Sequence, residues 1–166
     1  MALPPLSLKG RALRLLGTRE YSRPELERKL ARHAPEAGEL GRVLDELQAK
    51  GFIDARRVIE SVVHRRSGKL GAGRIRQELS GKGLDADMVR AAVAGLQATE
   101  LERAYAVWRK KFGNKPSGAA VDGSDRPEAP ERARQMRFLA SRGFSGDTIR
   151  RVVSSADQLL DETPTD

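Results

Sequence analysis

The sequence predicts an all-α protein: three tandem three-helix repeats forming an elongated, curved array. Three observations predict it. First, a helix–corner–helix pattern recurs at a fixed offset of 60 residues. Between 79–93 and 139–153, Leu79/Leu139, Gly83/Gly143, Asp87/Asp147, Arg90/Arg150 and Val93/Val153 are identical, and Lys82/Arg142, Leu84/Phe144 and Val89/Ile149 are alike in type. Second, weaker copies stand upstream. Ile75, Leu79, Val89, Val93 and Leu96 fall 49 residues after Leu26, Leu30, Leu40, Leu44 and Leu47, while Ala12, Leu13 and Leu16 step by 46 to Val58, Ile59 and Val62 and by 46 again to Ala104, Tyr105 and Trp108. Third, no stretch sustains the two-residue alternation of a strand; Val62-Val63 and Val152-Val153 lie within longer helical stripes. A fixed period of this size marks a stack of supersecondary units, each burying its apolar face against the next.

The elements follow in order. Pro4 and Pro5 block regular structure in the lead-in. Ser7 is a candidate N-cap for a first helix to about Gly17. Ser22-Arg23-Pro24-Glu25 then combines a cap, an early proline and a glutamate three residues on, the pattern of a capping box. Ala34-Pro35 breaks that helix, and a third is expected from about Pro35 to Lys50, with Leu40, Val43, Leu44 and Leu47 inward and Gly51 ending it. In the second repeat, Asp54 caps a helix to about Arg66. The loop Ser67–Gly71 leads to a helix from about Ala72 to Gly81, and Asp85 caps another to about Ala98. The third repeat opens on Thr99-Glu100-Leu101-Glu102, again a capping-box pattern, with a helix to about Phe112. Residues 113–130, GNKPSGAAVDGSDRPEAP, carry no helical stripe and are expected to form a mobile inserted loop. Helices resume at Glu131. The expected division is residues 1–51 for the first repeat with its lead-in, 52–98 for the second, 99–156 for the third with its loop, and 157–166 for a frayed acidic tail.

Composition narrows the function classes. Only 4% of the 166 residues are aromatic against 39% hydrophobic, so the core is built from small aliphatic side chains, which suits a stack better than one globule. The net charge is +8, and the tail residues Asp157, Asp161, Glu162 and Asp166 oppose it, so the rest of the chain is more positive still. Such a field favours a polyanion or an acidic protein surface. The absence of cysteine excludes disulfides and thiolate metal sites. With no signal-like apolar run and no stretch near the roughly 20 apolar residues of a membrane span, a cytoplasmic protein without membrane contact is expected.

No constellation calls for catalysis, a cofactor or a metal. His33 and His64 lie near helix ends among arginines and read as solvent-facing or capping groups. Asp85 and Asp87 read as helix N-terminal charge, as does Asp147. Ser67-Gly68-Lys69-Leu70-Gly71-Ala72-Gly73 lacks the preceding strand and the Gly-Lys-Ser/Thr ending of a nucleotide-binding loop. A plain flexible turn is the expectation there, ahead of a backbone contact from Gly71–Gly73 to a phosphate or carboxylate. Trp108 and Phe112 read as core rather than base-stacking platforms. The remaining signal is basic. Arg65, Arg66, Lys69, Arg74, Arg76, Lys82, Arg90, Arg109, Lys110, Lys111, Arg134, Arg137, Arg142, Arg150 and Arg151 are the candidate partner contacts, chosen by charge and by their place on the second and third repeats.

Several stretches together resemble the RecX family. They are Glu131-Arg132-Ala133-Arg134-Gln135-Met136-Arg137-Phe138-Leu139-Ala140-Ser141-Arg142-Gly143-Phe144-Ser145; Tyr21-Ser22-Arg23-Pro24-Glu25-Leu26 with Lys29-Leu30; Lys50-Gly51-Phe52-Ile53-Asp54; Arg74-Ile75-Arg76-Gln77-Glu78-Leu79 with Lys82-Gly83; and Trp108 with Lys110-Lys111-Phe112-Gly113. The ordered set, over roughly residues 7–156, carries the resemblance. It departs from the family pattern in a longer link at 113–130 and in glycines at 68–73 where a Gly-Pro pair is expected. The resemblance implies a non-catalytic regulator, monomeric in this reading, that binds the RecA filament on DNA. It implies inhibition of the RecA ATPase and of strand exchange, and so a role in recombinational repair and SOS control. Weak non-specific DNA affinity accords with the charge. The competing reading is a helix-turn-helix-like DNA-binding protein acting without RecA. Against it, the third helix of the first repeat, expected over 35–50, carries Glu36, Glu39, Asp45 and Glu46, which phosphate would repel, and that of the second repeat, 85–98, has only Arg90 as a basic residue.

Overall fold

The computed structural model describes residues 6–34, 36, 38–113 and 129–161, with side chains described as far as residue 155. Among the described residues there are nine α-helices and no strand. They fall into three triplets: α1 (Leu8–Leu16), α2 (Arg23–Leu30) and α3 (Glu39–Ala49); α4 (Ala55–Arg66), α5 (Ala72–Gly81) and α6 (Ala86–Gln97); α7 (Glu100–Phe112), α8 (Ala129–Ser141) and α9 (Gly146–Asp161).

Local signals set most of the boundaries. Ser7 caps α1 through its hydroxyl, which accepts the Gly10 N–H at 3.1 Å. Ser22 and Glu25 form the expected capping box on α2, each side chain accepting the other's backbone N–H. Asp54 and Asp85 accept amides of the first turns of α4 and α6. At the end of α3, Gly51 takes φ 74°, and the Phe52 N–H returns to Leu47 O and the Gly51 N–H to Gln48 O, the paired bonds of a Schellman stop.

Some expectations need correcting. The α3 helix begins at Glu39, not near Pro35: a 3₁₀ turn over Ala31–His33 follows α2, and Gly38 at φ 82° reverses the chain before α3 starts. The Thr99 capping box does not form. The Thr99 side chain makes no cap bond and instead accepts the Arg103 Nε–H at 3.3 Å. The α9 helix continues to Asp161, so the first residues of the stretch expected to fray are helical. Most of the loop expected at 113–130 lies outside the described residues, as does the end of the acidic tail.

The chain divides into two compact units, and the division falls within α4, α5 and α6. The first comprises Met1–Val63 and Glu78–Arg90. Its core is Leu8, Ala12, Tyr21, Leu26, Leu30, Leu44, Leu47 and Ile53. Leu26, Leu44 and Leu47 are fully buried, each contributing about 1.5–3 kcal/mol relative to exposure. The second unit comprises His64–Gln77 and Ala91–Asp166. Its core is Ala104, Trp108, Phe112, Leu139, Phe144, Ile149, Val152 and Val153. Trp108 and Phe112 are core residues as expected, with ring centroids 6.2 Å apart, and Phe112 meets Phe138 edge-on at 5.2 Å. The Trp108 indole N–H donates to Gln135 Oε1 at 2.8 Å, so the indole and the buried amide satisfy each other.

Candidate functional site

Each unit contains one joint between successive triplets, and the two joints share a plan. The glycine corner between the second and third helices of one triplet docks on the N-terminus of the second helix of the triplet before it. In the first unit the corner is Lys82-Gly83 and the receiving end is Ser22–Glu25. Gly83 sits at φ 70°, and a Cβ there would come within 2.9 Å of the Pro24 ring. In the second unit the corner is Arg142-Gly143 and the receiving end is Gly71–Arg74. Gly143 sits at φ 81°, and a Cβ on Gly71 would overlap Gly143 O and Phe144 N. Only glycine lets backbone meet backbone this closely.

The chemistry of the two joints differs. At the first, the Ser22 hydroxyl donates to Lys82 O at 2.5 Å. Lys82 Nζ reaches Glu25 Oε1 at 2.8 Å, and Arg19 Nη2 reaches the same oxygen at 3.0 Å. The Lys82 and Glu25 side chains are only 12% and 11% exposed, so this is a nearly buried pair. Burial alone would push the Glu25 carboxyl up; hydrogen bonds from Arg19, Lys82 and the Ser22 amide outweigh it and hold the carboxyl down at about 2. Arg28 Nη2 donates to Gly81 O at 3.2 Å.

At the second joint, backbone amides do the work of the serine. The Gly71 N–H donates to Arg142 O at 2.8 Å and the Gly73 N–H to Gly143 O at 3.0 Å. Between them the Ala72 N–H donates to Glu100 Oε1 at 3.3 Å. The other Glu100 oxygen accepts from the Ser145 and Thr148 hydroxyls at 2.8 and 3.0 Å. Glu100 is buried, and its carboxylate links α5, α7 and the start of α9. One turn along α7, the Arg103 guanidinium donates to Ser67 O, Leu70 O and Leu96 O at 2.9–3.0 Å, closing the ends of α4 and α6. Burial pulls its pKa down while the charge of Glu100 opposes that shift. Residues 67–73 are therefore a pinned joint rather than the plain flexible turn expected. Their amides are committed to the chain's own carboxylate and carbonyls.

Of the predicted partner contacts, Lys82 and Arg90 lie in the first unit and the others in the second. Lys82 is engaged with Glu25. Arg90 and Arg150 pair with Asp87 and Asp147, three residues earlier on their own helices, and Arg134 pairs with Glu131. Arg74 is held by Ser141 O at 3.1 Å and Gln77 Oε1 at 3.2 Å. Arg142 is half-buried, with its guanidinium 4.3 Å over the Phe138 ring. Arg65, Arg66, Lys69, Arg76, Arg109, Lys110, Lys111, Arg137 and Arg151 are all exposed. The second unit thus carries most of the accessible cations.

Sequence reasoning missed Glu100 and Arg103. Their spacing of three on α7 was visible, but the groups that bond Glu100 lie 28–48 residues away and the carbonyls that Arg103 closes lie 7–36 residues away. His33 and His64 join no metal-binding group: among the described residues no cluster of three or more His, Cys, Asp or Glu is placed to hold an ion. No helix among them is long and apolar enough to cross a membrane.

Fold and surface together define a helical-repeat protein whose triplets interlock through glycine corners and whose second unit presents exposed cations. Comparison with known proteins makes this specific. Family models described as the second and third three-helix domains of RecX match residues 54–93 and 123–153. The regulatory protein RecX of Leptothrix cholodnii is 51% identical over 98% of this chain and 97% of its own length. That of Ralstonia nicotianae is 45% identical over the same shares. The crystal structure of RecX from Lactobacillus salivarius superposes with a TM-score of 0.69 at 22% identity, covering 91% of this chain and 95% of that one. The chain belongs to the RecX family of regulatory proteins.

Proposed function

We propose that this chain binds the RecA filament on DNA and restrains its ATP hydrolysis and strand exchange, so acting in recombinational repair and SOS control. The observation that carries the reading is the likeness to relatives named for regulation along nearly the whole length of the chain. The physical arrangement supports it. A filament presents the same surface at every protomer, and an array of similar triplets can present similar charged helices to successive copies. Exposed arginines and lysines give such contacts speed and selectivity, and make them salt-sensitive.

The helix-turn-helix alternative gains nothing from the geometry. On α3, Asp45 and Glu46 keep their negative charge outward, paired with Arg23 at 2.6 Å and with Lys9 at 2.7 Å and Lys50 at 2.6 Å. On α6, Arg90 is tied to Asp87. The test is RecA ATP hydrolysis on single-stranded DNA, titrated with this chain at two salt concentrations. A saturable fall that weakens with salt is expected; unchanged hydrolysis at saturation would reject the proposal. A mobility shift without RecA serves as the control, where tight, sequence-dependent binding would favour the alternative.

A further inference from the structure

The first unit holds a cluster of charge that its joint does not use, supplied by α1 and by the 3₁₀ turn Ala31–His33. On the turn, the Arg32 Nε–H donates to His33 Nε2 at 3.3 Å. Nε2 is therefore an acceptor, and the imidazole is neutral with its proton on Nδ1. From α1, the charge of Arg11 falls on the same ring. Burial and then the charges of Arg11 and Arg32 pull the His33 pKa below the usual histidine value. Glu36 and Glu39, which follow in the chain, do not offset them.

These cations have no acid of their own. Arg11 gives its Nε–H to Leu6 O at 3.1 Å, and Arg32 is turned to His33. Neither of them meets a carboxylate among the described residues, and nor does Arg14, one turn further along α1. By contrast, Arg19, Arg23 and Arg57 of the same unit are each paired with one. Arg14 and Arg32 are exposed and Arg11 and His33 half-buried, so the cluster is open to solvent.

An oxyanion would complete it. Placed at Arg32 and His33, it accepts the Arg32 Nε–H and lets Nε2 take a proton from solvent. One cation-to-neutral bond then gives way to two cation-to-anion bonds. The two donors belong to separate side chains, which suits the diverging oxygens of a phosphate; a carboxylate is matched best by the parallel fork of one guanidinium. Arg14 is a surface neighbour of Arg11 on the helix, placed for the next phosphate of a strand.

We propose that Arg11, Arg32 and His33 form a phosphate-binding site that takes the sugar–phosphate backbone of a nucleic-acid strand. Binding carries one proton onto His33. The bound state holds more protons than the free one, so affinity rises as pH falls through the histidine range. The inference goes beyond the reading under Proposed function: it assigns a ligand to residues outside the predicted partner contacts and needs no RecA.

The chain has two histidines, so in a His64→Gln background the imidazole resonances report His33 alone. They are titrated with pH for the full chain by itself, with oligo-dT and with inorganic phosphate, all at low salt. Oligo-dT affinity is measured at about pH 5.5 and about pH 8, on either side of the histidine range, for this chain and with His33→Gln, Arg32→Gln or Arg14→Gln added. The expected result is a His33 titration moved upward by oligo-dT, with binding about tenfold tighter at the lower pH. His33→Gln should hold the affinity at the higher pH within about twofold and lose the pH dependence, which a merely structural role would not do. Arg32→Gln should bind about tenfold more weakly at the lower pH. Arg14→Gln should weaken oligo-dT binding about threefold and leave the response to inorganic phosphate unchanged. A His33 titration that oligo-dT leaves in place would overturn the proposal, as would a pH dependence that survives in His33→Gln. An equal response to inorganic phosphate at the same phosphate concentration would make the ligand a free phosphate, and an equal response to a polyglutamate peptide would make it an acidic protein segment; either overturns the strand as occupant. The resonance titration needs no substitution within the site, so it decides the question even where a variant folds poorly. No arm contains RecA, so failure here and unchanged RecA hydrolysis are separate results.

Discussion

The joint at Lys82-Gly83 and the joint at Arg142-Gly143 solve one packing problem by different means. The first relies on side chains: a serine hydroxyl, a capping glutamate and a lysine–glutamate pair hold the corner. The second relies on bare backbone, with glycines at 71 and 73 letting amides reach the corner carbonyls directly and a buried carboxylate from α7 filling the space between. Similar triplets can therefore be joined by unlike chemistry, provided each corner keeps a glycine in the left-handed region and each helix N-terminus finds acceptors for its amides.

Breaking the backbone contact should have the largest effect. Gly71→Ala forces a Cβ into Gly143 O and Phe144 N, neither of which can move without opening the corner. A loss of about 3 kcal/mol or more in urea unfolding is expected, whereas Ser22→Ala in the first joint should cost about 1–2 kcal/mol. Next comes the carboxylate. Glu100→Ala strands the Ala72 amide and two hydroxyls, one of them on the buried Thr148, and should cost about 2–3 kcal/mol. Glu100→Gln should recover part of that, because its carbonyl oxygen can still accept either the Ala72 amide or the two hydroxyls, though not both sets.

The pH dependence sharpens the contrast further. The Glu25 carboxyl is held at about 2 in the folded chain, below its usual value near 4.5. Its contribution to stability is therefore fully present above about pH 4.5 and is lost as pH falls toward 2. Lys82→Met removes one of the groups holding it down. That variant should lose about 1–2 kcal/mol at neutral pH, and its stability should fall less steeply than wild type between about pH 4.5 and 2. Acid titrations of the melting temperature would show this. The smallest effect is a gain. Gly95 lies inside α6 with nothing within 4 Å of a Cβ, so Gly95→Ala should stabilise by about 0.5–1 kcal/mol.

How much of this the sequence disclosed follows from the range of each interaction. The caps at Ser7, Ser22, Asp54 and Asp85, the stop at Gly51 and the corner glycines are local, and their signals lie within four residues of where they act. The start of α3 was misplaced because a 3₁₀ turn and a left-handed Gly38 leave no periodic trace. Thr99 and Glu102 matched a capping box, but Thr99 is drawn to Arg103 instead. The 67–73 segment read as a loose turn because its partners, Glu100 and Arg142-Gly143, are 28 and about 70 residues away in the chain. Lys82 read as one more surface cation. Only its docking against the Glu25 capping box reveals that it is spent inside the chain, although the repeat offsets already aligned it with Arg142.

The most direct measurement sets a cation spent within the chain beside exposed ones in the RecA assay. Inhibition of RecA ATP hydrolysis is titrated with wild type, Lys82→Met and an α7 variant carrying Arg109→Gln, Lys110→Gln and Lys111→Gln, all below their melting temperatures. The expected result is a lowered melting temperature with near wild-type potency for Lys82→Met, and about tenfold lower potency with little change in melting temperature for the α7 variant. The contrary result is the reverse assignment, with Lys82→Met losing potency while folded and the α7 variant inhibiting like wild type.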